Sequence, residues 1–476
     1  MKRYDNQAVR LRKDVLIRVA RALLKPDAED ALNRIPLEMR PRGKDASRCC
    51  IYKDRQVIKY RILAALGFSI EDENDELMAL GAYCERARRR TRIEQTGLTV
   101  IDIACSACIK GNYTVTNACR GCLGRACQTN CRKDAIRFID GRAVIDTERC
   151  INCGLCLQAC PYHAIIKVPV PCEEACPVSA ISKNRSGIET IDAAKCISCG
   201  QCLTACPFAA IQERSQMADV LQALQTKERK LTALLAPSAV GQFPGTLGQL
   251  HTALYRLGFT KVIEITNAAA QTAVIEGQEW RQRQAAGETF MTSSCCPAYA
   301  EAVKRHLPEL EQHLSHTPSP MAVAAAAVKQ NQPEMTTVFI GPCMAKRTEA
   351  LNNADVDYVL TFEETGAILI AADIDVQICT ATELPPDDQA GRGFALSGGV
   401  AKAVKEKLSD NTAALQPVCI NGLDRKALVK LQQACKGRPE GNFIEVMCCE
   451  GGCVSGPAVL GTPAVSTRKL QAMNNG

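Results

Sequence analysis

Apolar positions along this chain change period twice. In the first hundred residues they recur at helical spacing, as in Val15–Leu24 and Val57–Leu66, with Pro26 and Gly67 closing the runs. Residues 1–100 therefore read as a mostly helical segment of no evident role. From 101 to 215 the apolar stretches shrink to one short unit used four times. Its copies are Cys131-Arg-Lys-Asp-Ala-Ile, Cys160-Pro-Tyr-His-Ala-Ile, Cys176-Pro-Val-Ser-Ala-Ile and Cys206-Pro-Phe-Ala-Ala-Ile. Each Ala-Ile predicts the start of a short strand, so the four half-units predict an α+β module. From 216 to 476 strand and helix patterns alternate. Lys230–Pro237, Val262–Ile265 and Thr289–Thr292 read as strands, Leu247–Leu257 and Ala268–Gln284 as helices. Such alternation predicts an α/β domain of parallel sheets with helices on their faces.

Composition narrows the function classes. The chain has 476 residues, enough for several domains, with 46% hydrophobic and only 4% aromatic residues. Its cores must rest on Ala, Leu, Ile and Val. The 28 cysteines could signal a secreted disulfide scaffold. The polar start Met1-Lys-Arg-Tyr-Asp-Asn argues against that, since no apolar signal region follows. No run is long enough for a membrane span. Metal or redox chemistry in the cytoplasm is the expectation. The net charge of +7 includes the run Arg86-Ala-Arg-Arg-Arg-Thr-Arg92. A solvated helix face, or a patch docking an acidic redox partner, accounts for it better than nucleic-acid binding does. No Gly-rich nucleotide loop is present, so NAD(H) or flavin chemistry within the chain is not expected.

The cysteine spacing is specific. Cys150-x2-Cys153-x2-Cys156-x3-Cys160-Pro and Cys196-x2-Cys199-x2-Cys202-x3-Cys206-Pro match the bacterial 4Fe–4S run. Three thiolates within seven residues wrap one cubane, and the Cys before Pro reaches the neighbouring one. Structural zinc uses separated ligand pairs instead. Cys119-x2-Cys122-x4-Cys127-x3-Cys131 is a looser variant. Residues 101–215 therefore read as a tandem ferredoxin-like module. Applying the swap of last cysteines groups Cys119, Cys122 and Cys127 with Cys160. It groups Cys150, Cys153 and Cys156 with Cys131, and Cys196, Cys199 and Cys202 with Cys176. Cys172 and Cys206 remain, and Cys105-x2-Cys108 is the unused pair. Either these four complete a fourth accessory cubane or they are free thiols beside three. Cys49, Cys50 and Cys84 read as buried thiols, and Cys379, Cys419 and Cys435 as structural.

Four more cysteines stand far apart, in the contexts Thr292-Ser-Ser-Cys-Cys-Pro-Ala-Tyr299, Gly341-Pro-Cys-Met-Ala-Lys346 and Glu445-Val-Met-Cys-Cys-Glu-Gly-Gly-Cys-Val-Ser-Gly-Pro457. Thiolates at strand ends beside Pro and Gly suit a buried cluster that the backbone approaches closely. These segments resemble the three signature motifs of the iron-only (FeFe) hydrogenases, roughly TSCCP-x-W, MPC-x-x-K and E-x-M-x-C-x-GGC, in the right order. Ser293-Ser294 stands for Thr-Ser, Tyr299 for Trp, Gly341 for Met and Gly456-Pro457 for a longer glycine run, as in the divergent group B branch.

The resemblance implies a two-lobed catalytic domain over 216–476 with an H-cluster: a 4Fe–4S cubane on Cys296, Cys343, Cys449 and Cys453, bridged by Cys453 to a diiron subsite carrying CO, cyanide and a dithiolate. It implies that Cys295 is the proximal proton donor and that Glu276, Glu279, Arg283 and Ser315 form a proton relay. Glu276, Glu279 and Arg283 share one helix face by spacing alone, which a solvated ion-pair stripe would also explain. Lys346 resembles the lysine that hydrogen-bonds a cyanide, Pro237-Ser238 resembles the pocket lining, and Met447 is expected to face the pocket. The function implied is a cytoplasmic hydrogenase reversibly reducing protons to H2. Its electrons would come from a ferredoxin-like carrier through three to four accessory 4Fe–4S clusters, and maturation proteins would supply the diiron subsite. The rivals are a sensory homologue of low activity and a non-enzymatic Fe–S assembly protein without that subsite.

Overall fold

The computed structural model describes residues 6–43, 46–91, 93, 97–105, 108, 112–226, 229–385, 388–408 and 414–474. Four helices lead: α1 (Gln7–Leu23), α2 (Ala28–Met39), α3 (Ile51–Ala65) and α4 (Leu80–Arg89). Their apolar faces do not form a core of their own. Val19, Leu32 and Ile62 are buried in one continuous cluster with Leu234, Val338 and Ile368 of the C-terminal half. The helical segment is therefore packed onto the α/β region.

The cysteine-rich region holds eight short strands: β1 (Leu98–Val100), β2 (Asn112–Val115), β3 (Ile136–Ile139), β4 (Arg142–Ile145), β5 (Ile165–Val168), β6 (Ile181–Lys183), β7 (Glu189–Ile191) and β8 (Ile211–Glu213). Four of them begin at the Ile of a repeated unit, as the pattern predicts. All pair antiparallel, β1 with β8, β2 with β5, β3 with β4 and β6 with β7.

Two parallel sheets follow. The first has the order β10-β9-β12-β13, from β9 (Leu231–Leu235), β10 (Lys261–Glu264), β12 (Thr336–Gly341) and β13 (Tyr358–Thr361). The second has the order β11-β15-β14, from β11 (Met291–Thr292), β14 (Pro417–Asn421) and β15 (Phe443–Met447). β9, β12 and β15 are buried along their whole length, as strands covered on both faces must be. The long helix Thr266–Ala285 spans the expected relay segment.

One sequence expectation needs correction. Cys49 and Cys50 are exposed, because they lie in the turn that enters α3, where the Cys50 sulfur caps the Lys53 amide at 3.5 Å. Cys84 is buried as expected. The basic run keeps a solvated face, with Arg86 and Arg89 exposed, and its described arginines also have partners within the chain. Arg86 stacks on Phe68 and Tyr83, Arg88 faces Glu29, Arg89 faces Glu85, and Arg90 grips Asp219 at 2.6 and 2.7 Å. Arg92 lies outside the described residues. Among the described residues, no helix is long and apolar enough to cross a membrane.

Candidate functional site

Ligands of parallel α/β sheets gather beyond the carboxyl ends of the strands. Here five such ends meet. Ala236–Ser238 leaves β9, Ile265 leaves β10, Cys295 and Cys296 follow β11, Cys343 follows β12, and Cys448 and Cys449 follow β15. With Cys453 and Lys346 they line one cavity of about 90 Å³. The rest of the wall is apolar, including Met321, Phe339, Phe394 and Met447.

Local sequence explains how backbone and thiols come so close. Gly341 has no space for a side chain: a Cβ would sit 2.6 Å from the Phe339 ring and 3.3 Å from Ala236. Phe339, two residues earlier on β12, thus occupies the room beside Gly341. Gly452, at φ +91°, lets the turn before Cys453 press against the Ser397 amide, 2.6 Å from where a Cβ would be. Tyr299, buried, hydrogen-bonds the Thr292 hydroxyl at 2.8 Å and so ties the helix Pro297–His306 to β11.

Cys296, Cys343, Cys449 and Cys453 are mutual electrostatic neighbours. Burial pushes all four thiols up, Cys453 to about 12 and Cys449 well beyond the usual thiol range. A protein-only pocket thus disfavours thiolates, and a bound cationic metal reverses that balance. Ser238 Oγ is buried with no hydrogen-bond partner among the described residues, a donor left for something in the cavity. Soft thiolates in a preformed, mostly apolar cavity fit an iron–sulfur group.

Lys346 is buried, yet its amine stays charged. Burial alone would lower its pKa, but Glu349 at 2.7 Å outweighs this and raises it, and Ser319 lies at 2.8 Å. Cys295 shares the cavity wall. Its thiol is pushed well up by burial first and by Glu276 next. Glu276, on the long helix, is buried with neither oxygen in a hydrogen bond of normal geometry among the described residues, and burial raises its carboxyl to about 8. One turn on, Glu279 behaves oppositely. Burial opposes its charge, but the His316 amide, the Ser315 and Thr317 hydroxyls and Arg283 together hold it below the usual carboxylate range. Ser315 donates at 2.7 Å, Thr317 at 2.8 Å and Arg283 at 2.7 Å. Arg283 also reaches Glu288 and the ring of exposed His316.

All the expected pocket and relay residues therefore lie in the cavity wall or in this chain of groups behind it. Sequence reasoning missed four. Glu349 was legible as the helical i+3 neighbour of Lys346. Thr317 and His316 adjoin Ser315 but carried no signal of their own. Glu445 opens the third motif; it is fully buried and accepts from the Gly398 and Ala401 amides at 2.8 Å each.

The cysteine-rich region reaches the cavity directly. Cys199 lies in its wall beside Cys448, and Gln201 donates to the Cys448 carbonyl at 3.2 Å. The structure brings the thiols of this region together in groups. Cys127 lies beside Cys122 and Cys160, and Cys156 beside Cys150 and Cys153. Cys119 and Cys131 pack in the same cluster as these. Cys196 and Cys202 lie beside Cys199 and Cys176. Among the described residues, no three His, Cys, Asp or Glu side chains converge on a single metal ion.

The chain is similar to several known proteins. Residues 229–457 match the iron only hydrogenase large subunit, C-terminal domain. Residues 143–166 match a 4Fe-4S binding domain, and 166–217 match the LdpA Fe-S cluster-binding domain. Iron hydrogenase 1 of Clostridium pasteurianum is 28% identical over 408 residues, covering 72% of this chain and 69% of that one. A solved FeFe hydrogenase of Chlamydomonas reinhardtii is 22% identical, with a TM-score of 0.45 over 55% of this chain and 88% of its own. The periplasmic Fe hydrogenase large subunit of Nitratidesulfovibrio vulgaris is 30% identical over 408 residues, covering 71% of this chain and 91% of its own. Since the likeness to that subunit runs through nearly all of its length, and the motif cysteines meet in one cavity, the chain belongs to the iron-only hydrogenase family.

Proposed function

We propose that this chain reversibly reduces protons to H2, taking electrons from a ferredoxin-like carrier through the cysteine-rich region. Cys296, Cys343, Cys449 and Cys453 would hold the cubane of an H-cluster, and Lys346 and Ser238 would face its diiron side. Bound there, the cluster supplies electrons and the metal at which they meet protons. A reducing, cytoplasmic setting is part of this reading, since there cysteine-rich chains hold metals and not disulfides.

The protein's own part is to deliver protons into a mostly apolar cavity. Cys295 presents its S–H to the cavity, and its raised pKa keeps it protonated until a proton is drawn from it. Glu276 keeps its proton at pH 7 and is the titratable group that acts most strongly on Cys295, so it is placed to return the proton. Glu279, ionised and held by Ser315, Thr317 and Arg283, accepts protons from the His316 side and passes them inward. Two carboxyls one helical turn apart with pKa values driven in opposite directions form a downhill path for a proton.

The observation that carries this reading is the Cys295 thiol, set in the cavity wall with Glu276 as its strongest electrostatic neighbour. Cys295→Ala should keep the infrared bands of bound CO and cyanide yet lose H2 turnover by about a hundred- to ten-thousand-fold. Near-normal turnover in that variant would sink the assignment.

A further inference from the structure

The cysteine-rich region contains two copies of one folding pattern, and one copy is inserted into the other. In the inner copy β2 pairs with β5 and encloses the hairpin β3–β4. In the outer copy β1 pairs with β8 and encloses the hairpin β6–β7. The inner copy thus interrupts the outer one between Cys108 and Cys172.

The cysteines follow the same plan. In the inner copy a Cys-x2-Cys pair (119, 122) follows β2, and a Cys-x3-Cys pair (127, 131) precedes β3. In the outer copy Cys105-x2-Cys108 follows β1, and Cys172-x3-Cys176 precedes β6. The backbone repeats too. In all four half-units an alanine amide donates to the sulfur four residues earlier: Ala135 at 3.3 Å, Ala164 at 3.4 Å, Ala180 at 3.2 Å and Ala210 at 3.4 Å. The residue before each alanine has positive φ, 46° to 52° over Asp134, His163, Ser179 and Ala209. Cys206 and Cys176 are therefore presented as their inner-copy counterparts Cys160 and Cys131 are.

Folding brings the separated pieces together. Ile101 donates to the Ala210 carbonyl at 2.8 Å, which continues the β1–β8 pairing toward the cysteines. Cys105, buried, packs in one apolar cluster with Cys206 and receives the Glu189 amide at 3.5 Å. Cys108 and Cys172 lie within electrostatic reach of both. Two cations and a buried carboxylate lie beside them. Lys183, paired with Glu189 at 2.7 Å, acts on Cys105 and Cys108, and buried Arg61 lies near Cys206. Arg61 also donates to the Phe208 and Ala209 carbonyls at 3.1 and 3.3 Å. The helical N-terminal segment thereby covers this site, and its cations suit an anionic group.

We propose that Cys105, Cys108, Cys172 and Cys206 hold a fourth accessory 4Fe–4S cluster, in an iron–sulfur unit split by the insertion of another. The inference deepens the electron-transfer reading of the cysteine-rich region. Its test reads iron, not hydrogen, so its failure would leave the proposed hydrogenase activity standing.

The full chain is purified without oxygen, and iron, acid-labile sulfide and zinc are counted per chain. A Cys105→Ser, Cys108→Ser double variant should lose about four irons and four sulfides, since each cubane holds four. A Cys119→Ser, Cys122→Ser variant should lose the same number. Unchanged iron in the first variant overturns the proposal, as does zinc that is present in the wild type and lost with it. If the double variant does not fold, Cys108→Ala removes one half-exposed corner. It should lose about one iron per chain and give the paramagnetic resonance of a three-iron cluster in the oxidised state. Absence of both changes overturns the proposal equally.

Discussion

At the scale of single residues, the same chemical group is driven to opposite ends by its surroundings. Glu276 and Glu279 lie three residues apart on one helix, yet one is kept neutral by burial and the other ionised by four donors. This has a consequence for pH. Glu276 holds its proton up to about pH 8 in the folded chain, whereas an unfolded glutamate releases it near 4.3. Between those values the native state binds the extra proton, so stability falls as pH rises through that window and levels off above about 8. Glu276→Gln should remove that slope from a denaturation series. Turnover should fall above pH 8 in the wild type as Glu276 ionises. Glu276→Leu and Glu279→Leu should each cut H2 turnover at pH 7 with iron content unchanged. Normal turnover in both would mean that the helix face is only an ion-pair stripe. The carboxylates were legible in the sequence through spacing and motif register. Their divergent charge states were not, because these depend on Ser315, Thr317 and His316, which arrive from a separate loop.

At the scale of elements, legibility followed how local the cause was. The four Ala-Ile strand starts were readable because the cysteine, the positive-φ residue and the amide-to-sulfur bond all lie within one short unit. The strand expected over Thr289–Thr292 is shorter, only Met291–Thr292, because Glu288 folds back onto the helix end, where its amide bonds the Arg283 carbonyl. No local pattern signalled that. Gly341 is another long-range case: its lack of a side chain is explained by the Phe339 ring and by Ala236 on the neighbouring strand end. Gly341→Ala should therefore destabilise by about 1–3 kcal/mol through overpacking. Phe339→Leu in the same chain should recover part of that loss, read as the shift in thermal midpoint. If Gly341→Ala melts with the wild type, the crowding has no energetic weight.

At the scale of the whole molecule, the sequence showed three regions but not how they are joined. The N-terminal helices looked like a separate segment, since each has its own periodicity, yet they lack a core without β9 and β12. Arg347 shows the reason in one contact. It is buried after β12, pairs with Glu364 at 2.5 Å beyond β13, and pairs with Glu213 at the end of β8. Arg12 of α1 grips the adjacent Glu363 at 2.7 and 2.9 Å. One buried charge network thus locks the helices, the cysteine-rich region and the first sheet together. Removing one partner of a buried pair strands the other charge, at about 3–5 kcal/mol, whereas replacing all partners by neutral groups costs far less. Arg347→Met should lower the unfolding midpoint sharply. Adding Glu213→Gln and Glu364→Gln should restore much of the loss. Because Cys206 lies on the segment leading into β8, loosening this junction should also speed iron loss from the chain on dilution into chelator. A single Arg347→Met variant that unfolds and releases iron like the wild type would show that packing alone, and not this network, holds the three regions in place.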